Sequence, residues 1–157
     1  MSGDPVKTVV RDLDQERLEA LAERLAVRLQ GEDVVLLEGG LGAGKTTFAR
    51  ALIRHLAGAP IEVPSPTFTL VQDYELGALA IRHADLYRVG DPMELVELGL
   101  DRVEPGTALL VEWPERGGDV LPEGLVVRFT IRGFETRDLE LEAEDAWRER
   151  ISSLIDV

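Results

Sequence analysis

At 157 residues the chain has the length of one domain, residues 1–157. Its 45% hydrophobic and 30% charged residues are interleaved along its length, which excludes disorder as the dominant state. It has no cysteine, so a disulfide framework, a thiolate metal site and a cysteine nucleophile are all excluded. No apolar run approaches the roughly 20 residues of a membrane helix, and Met1 to Pro5 lacks a signal-peptide pattern. No membrane association is therefore expected, and the expected location is the cytoplasm. A formal net charge of −13 leaves no global electrostatic footprint for nucleic acid; it suits solubility or docking onto a basic partner.

In chain order, Val6–Val10 is a short β-prone run, and residues 14–30 carry Leu18, Leu21, Ala22, Leu25 and Leu29 at helical spacing, with Asp14 at the start and Gly31 at the stop. Val34–Leu37 is a continuous apolar run, the pattern of a strand buried on both faces. A glycine-rich turn, Gly39–Gly44, leads into a helix from Lys45 to Leu56 that ends at Gly58. Three prolines, Pro60, Pro64 and Pro66, then break the chain. Residues 67–75 and 78–87 read as a hairpin about Gly77, and Pro92–Leu98 as a short helix capped by Asp91. Ala108–Val111 is a second buried strand, 125–131 and 138–141 a hairpin about Gly133, and 144–155 a terminal helix. The order β-α-β-α, then strands, gives an α/β class with a mixed sheet.

Gly39-Gly40-Leu41-Gly42-Ala43-Gly44-Lys45-Thr46 satisfies G-x-x-x-x-G-K-[ST] at every fixed position. Glycines permit dihedrals closed to other residues, and their N–H groups together with a helix N-terminus form an anion cradle. Lys45 suits the terminal phosphates as a point charge and the Thr46 hydroxyl suits Mg²⁺. Lys45 is one of two lysines, Lys7 being the other, among 17 basic residues. The opposing reading, a glycine-rich turn without a ligand, leaves a lysine and threonine at the helix start without a reason. Ala108-Leu109-Leu110-Val111-Glu112 is an apolar strand ending in a carboxylate, the pattern that delivers an acid to the metal from a strand's C-terminal edge. Asp85 is a second candidate acid, or a turn carboxylate. Pro64 to Thr69, with Thr67 inside it, is a switch-like loop or a rigid connector. His83 reads either as a general base or as a structural residue of its strand, and Trp113 as a nucleotide-stacking or a core ring.

Four segments then stand in order. They are Leu41-Gly42-Ala43-Gly44-Lys45-Thr46-Thr47-Phe48, Ser65-Pro66-Thr67-Phe68-Thr69-Leu70-Val71, His83-Ala84-Asp85-Leu86-Tyr87-Arg88 and Val111-Glu112-Trp113-Pro114-Glu115. Together they resemble the bacterial TsaE (YjeE) family, small ATPases needed to form N6-threonylcarbamoyladenosine at position 37 of tRNAs. The resemblance covers roughly residues 10–142. It implies a P-loop NTPase-like three-layer α/β sandwich with a mixed, largely parallel central sheet. It implies ATP and Mg²⁺ as cofactors, with Gly42, Ala43, Gly44, Lys45, Thr46 and Thr47 on the phosphates, Thr46 and Glu112 on the metal, and Asp85 near the metal and attacking water. Thr67 would belong to the switch-like loop, and Trp113 and Arg137 would flank the nucleotide. The family's role is auxiliary: a TsaD-like threonylcarbamoyl transferase and its TsaB-like scaffold paralogue would be the partners, tRNA being met only through them, and slow ATP hydrolysis would let that pair turn over repeatedly. Two rival readings remain. A small nucleotide kinase would need an arginine-rich lid, whereas the interval after Gly90 is acidic. A nucleotide-gated binding module would have no need of Asp85 and Glu112.

Overall fold

A computed structural model describes residues 4–66 and 69–155. Seven strands form one mixed sheet: β1 (Val6–Leu13), β2 (Val34–Glu38), β3 (Val71–Leu76), β4 (Leu79–Asp85), β5 (Thr107–Glu112), β6 (Leu125–Ile131) and β7 (Arg137–Ala143), in the order β1-β7-β6-β2-β5-β4-β3. The helices are α1 (Gln15–Ala26), α2 (Lys45–Ala57), α3 (Met93–Glu97) and α4 (Arg148–Ile155). The α/β class is as the element order implies. Parallel pairing is confined to the middle, where β6, β2, β5 and β4 run together; the β1–β7, β6–β7 and β3–β4 pairs are antiparallel. The reason is local: the tight turns at Gly77 and Gly133 can only reverse the chain, whereas parallel neighbours need a crossover.

The apolar run of β5 is buried because both its faces are covered. Ala108 and Leu110 enter the larger apolar cluster with α1 and α2, while Leu109 and Val111 enter a second cluster with Leu95, Leu98 and Leu100 from α3 and its C-terminal turn. β2 divides likewise, Val35 and Leu37 on one side and Val34 on the other. These two strands occupy the centre of the sheet, and their C-terminal ends open at the same edge.

Several boundaries differ from expectation, among them the first strand of the Gly77 hairpin, expected from residue 67 and observed from Val71. α1 stops at Ala26, and Val27 caps it; Arg28 and Leu29 donate to Leu25 and Ala26 in tightened turns. Gly31 does not end the helix. A Cβ there would stand 3.0 Å from the backbone of Gly106, so the glycine serves a close approach of two chain segments. The terminal helix begins only at Arg148, after a 3-10 turn at Asp145–Trp147. β1 is longer than its β-prone run, and Lys7 stands in it with an exposed ion pair to Glu140 at 3.9 Å. Elsewhere Gly58 ends α2 in a left-handed conformation, φ 66°, as a C-terminal glycine should.

β1 forms an edge and carries a register shift between Val10 and Leu13, with Asp12 at φ 56°. Asp138 on β7 holds this irregularity. Its Oδ1 accepts from the Asp12 backbone N–H at 2.9 Å and its Oδ2 from Arg132 Nε at 2.8 Å, with Arg11 at 3.6 Å. The Asp12 amide first, and Arg132 next, lower the Asp138 carboxyl below its ordinary 3.8. A depressed carboxyl stabilises the fold above the unfolded-state value and loses that contribution as pH falls through the folded value. Asp138→Asn should therefore lower the urea midpoint at neutral pH, and the gap from wild type should close as pH is taken below 3.8. A gap that stays constant into acid would show that the charge plays no part.

Candidate nucleotide site

The loop between β2 and α2 takes its shape from three glycines with left-handed or related backbone: Gly39 at φ 152°, Gly42 at 76° and Gly44 at 111°. A Cβ on Gly39 would strike the Phe129 side chain at 2.9 Å and one on Gly44 would strike Leu18 at 2.9 Å, so the loop is also held tightly against the core. Gly42 has open space beside it. Gly44 caps α2 with no side chain bonded to the helix amides, and the first turn carries no acid. That leaves a helix N-terminus with its partial positive charge turned to the cleft.

Lys45, 5% exposed, folds its ammonium back onto the loop, donating to the Gly39 carbonyl and to the Gly40 carbonyl at 2.8 Å. The same nitrogen lies 4.0 Å over the centre of the Trp113 ring. Burial pushes the ammonium below its ordinary 10.5, and the carboxylates of Glu112, Glu115 and Asp85 pull it part of the way back.

Glu112 ends β5 and is 2% exposed. The parallel register sets it beside Leu37 of β2 and Asp85 of β4. Thr46 Oγ1 donates to its Oε1 at 2.7 Å, and His83 Nε2 lies 2.7 Å from its Oε2. Asp85, 3% exposed, accepts the Tyr87 backbone N–H at 2.9 Å on Oδ1, and its Oδ2 stands 3.5 Å from Ser65 Oγ. Directly after Glu112 the chain turns at Trp113, a non-glycine residue at φ 58°, ψ 48°. The half-buried ring packs 4.9 Å from Tyr87 and against the second apolar cluster, as the core reading of Trp113 expects.

One cleft of about 470 Å³ gathers these groups: Gly42, Ala43, Gly44, Lys45, Thr46, Thr47, Asp85, Glu112, Trp113 and Arg137 all line it. Arg137, first residue of β7, bonds the Leu13 carbonyl at 3.2 Å and reaches it from the far side, beside Gly44. Thr67 lies outside the described residues, as does Phe68; Ser65, from the same segment, lines the cleft. Sequence reasoning did not single out Leu41 or Tyr87, which also line it; Gln15, from a first-helix region that the family resemblance sets near the adenine, lines it as well. The contact of His83 with Glu112 was missed too. Its signal was the i, i+2 spacing of His83 and Asp85, which sets both on one face of β4.

A family model described as "Threonylcarbamoyl adenosine biosynthesis protein TsaE" matches residues 13–145. The chain belongs to the TsaE family. It is 38% identical over 135 residues to a Bacillus subtilis protein, covering 85% of this chain and 84% of that one. It is 44% identical over 102 residues to a Rickettsia felis protein, covering 65% of this chain but 60% of that protein's length. Both are named tRNA threonylcarbamoyladenosine biosynthesis protein TsaE. The crystal structure of Bacillus subtilis YdiB superposes with a TM-score of 0.76 at 28% identity, over 98% of this chain and 97% of that one. The span matched by the TsaE family, 13–145, contains every residue that lines the cleft.

Thr46→Val keeps the side-chain volume and deletes the donor on Glu112 Oε1. A buried carboxylate losing one charge-assisted partner should cost about 1–3 kcal/mol. Urea denaturation without added nucleotide or metal measures it; a midpoint equal to wild type would show that Glu112 does not depend on Thr46.

Proposed function

We propose that the chain is a P-loop ATPase with a P-loop NTPase-like fold that supports tRNA threonylcarbamoyladenosine formation, binding ATP with Mg²⁺ in the cleft between β2, α2 and β5. The observation that carries this reading is the joining of Thr46 to Glu112 beside a glycine loop that holds Lys45, in a chain of the TsaE family. The names of the Bacillus and Rickettsia relatives support the pathway.

The donor set suits the metal. A hydroxyl and a carboxylate oxygen 2.7 Å apart are hard ligands, and no group of three or more His, Cys, Asp or Glu among the described residues forms a dedicated cage. Mg²⁺ is commonly held in this way, by one or two protein oxygens with phosphate and water completing the shell. Bound there by Thr46 and Glu112, the ion would neutralise charge on the terminal phosphates. The chain's own residues do the rest. Loop amides from Gly42 to Thr47 and the uncapped α2 N-terminus receive the phosphate oxygens. The Lys45 ammonium exchanges the Gly39 and Gly40 carbonyls for phosphate oxygens, which demand it more strongly because they are charged. Asp85, across the register from Glu112, would act near the metal and the attacking water, and Trp113 and Arg137 would flank the nucleotide.

Slow hydrolysis by the isolated chain, and its acceleration by a TsaD-like transferase with its TsaB-like scaffold, belong to this reading and rest on the chain's membership of the TsaE family. Net charge −13 supports docking onto protein and meeting tRNA only through those partners.

Lys45→Ala should weaken ATP binding by about tenfold or more in calorimetric titration. ATP hydrolysis by wild type should rise when the transferase and scaffold of the same organism are added. A rate indifferent to the pair, with ATP binding intact, would overturn the auxiliary role and leave a nucleotide-binding protein.

A further inference from the structure

We infer that His83 is a positioning residue for nucleotide-bound Mg²⁺: it fixes the Glu112 carboxylate so that Oε1 faces Thr46 and the metal. The inference rests on the metal reading given above. His83 is wholly buried on β4, and its Nε2 lies 2.7 Å from Glu112 Oε2 while Thr46 takes Oε1. A glutamate's terminal torsion is broad and roughly two-fold, so one partner alone would let the two oxygens exchange places. Two partners, one from β4 and one from the first turn of α2, hold the plane.

The second ring nitrogen decides what His83 is for. Its Nδ1 is buried and has no hydrogen-bond partner among the described residues. Of the two neutral tautomers, the one with hydrogen on Nε2 leaves only a lone pair unmatched and donates to Glu112. The other would bury an N–H without an acceptor and set two acceptors face to face. Glu112 is thus the side-chain partner that accounts for a fully buried polar ring on β4, where a leucine would be less costly to bury. A Thr46 hydroxyl that gave a lone pair to the metal could still donate its hydrogen to Glu112, and the His83 bond would fix the second oxygen of the carboxylate. His83 itself touches neither nucleotide nor metal.

The test is the ratio of dissociation constants for a non-hydrolysable ATP analogue, measured by calorimetry in EDTA and in saturating Mg²⁺. Each variant supplies its own reference, so a loss of stability that leaves the protein folded does not alter the ratio. His83→Leu should shrink the ratio by about tenfold or more, the usual effect of removing the partner of a metal ligand, with affinity in EDTA unchanged. His83→Gln places an amide N–H where Nε2 stands and should keep most of the ratio. His83→Asn has the same chemistry and too short a reach, and should lose it. A folded His83→Asn protein with the wild-type ratio would overturn the positioning role and leave the metal reading standing. So would Gln and Asn variants that fall alike. A wild-type ratio of one would overturn both.

Discussion

A buried carboxylate governs this molecule. Glu112 sits at the end of the most enclosed strand at 2% exposure, where an unpaired charge would be prohibitive. Its two oxygens are therefore met by partners from different elements, Thr46 on α2 and His83 on β4. Those contacts require β5 to lie between β2 and β4 in parallel, because only that order brings a helix following β2 and a side chain of β4 to the same strand end. The register of three strands and the start of α2 are tied together by one side chain.

The neighbouring strain follows from the same demand. The chain must leave the sheet at once after Glu112, and it does so through Trp113 in a left-handed conformation, which costs about 1–3 kcal/mol in a non-glycine residue. The indole packs on Tyr87 and lies under the Lys45 ammonium, and these contacts offset the strain. The lysine is consequently held by a ring, two carbonyls and the field of nearby carboxylates.

Much of this was legible in the residues. Apolar runs ending in Glu112 and in the glycine loop identify two central strands, because a strand covered on both faces has no polar alternation to show. The loop glycines are legible because few other residues tolerate their backbone. What was not legible depends on which strands become neighbours. Sequence spacing sets His83 and Asp85 on one face of β4, but β4's adjacency to β5, which brings that face to Glu112, is a property of the folded sheet. Arg137 was named from resemblance; its place beside Gly44 depends on β7 lying next to β1. Gly31 was misread as a helix stop because a glycine needed for close approach to Gly106 looks, in sequence, like one needed for a cap.

The pairing of β1 with β7 has a consequence for how the chain is made. β2 and its loop leave the ribosome early, yet both strands that flank β2, β5 and β6, are among the later ones, and the partner of β1 is the last strand of all. The glycine loop therefore has no Glu112 opposite it until β5 has been made. Contacts this distant in sequence wait for every residue between the strands that make them. A nascent chain that stops before Arg137 would carry the glycine loop, Asp85 and Glu112 and still lack one wall of the cleft.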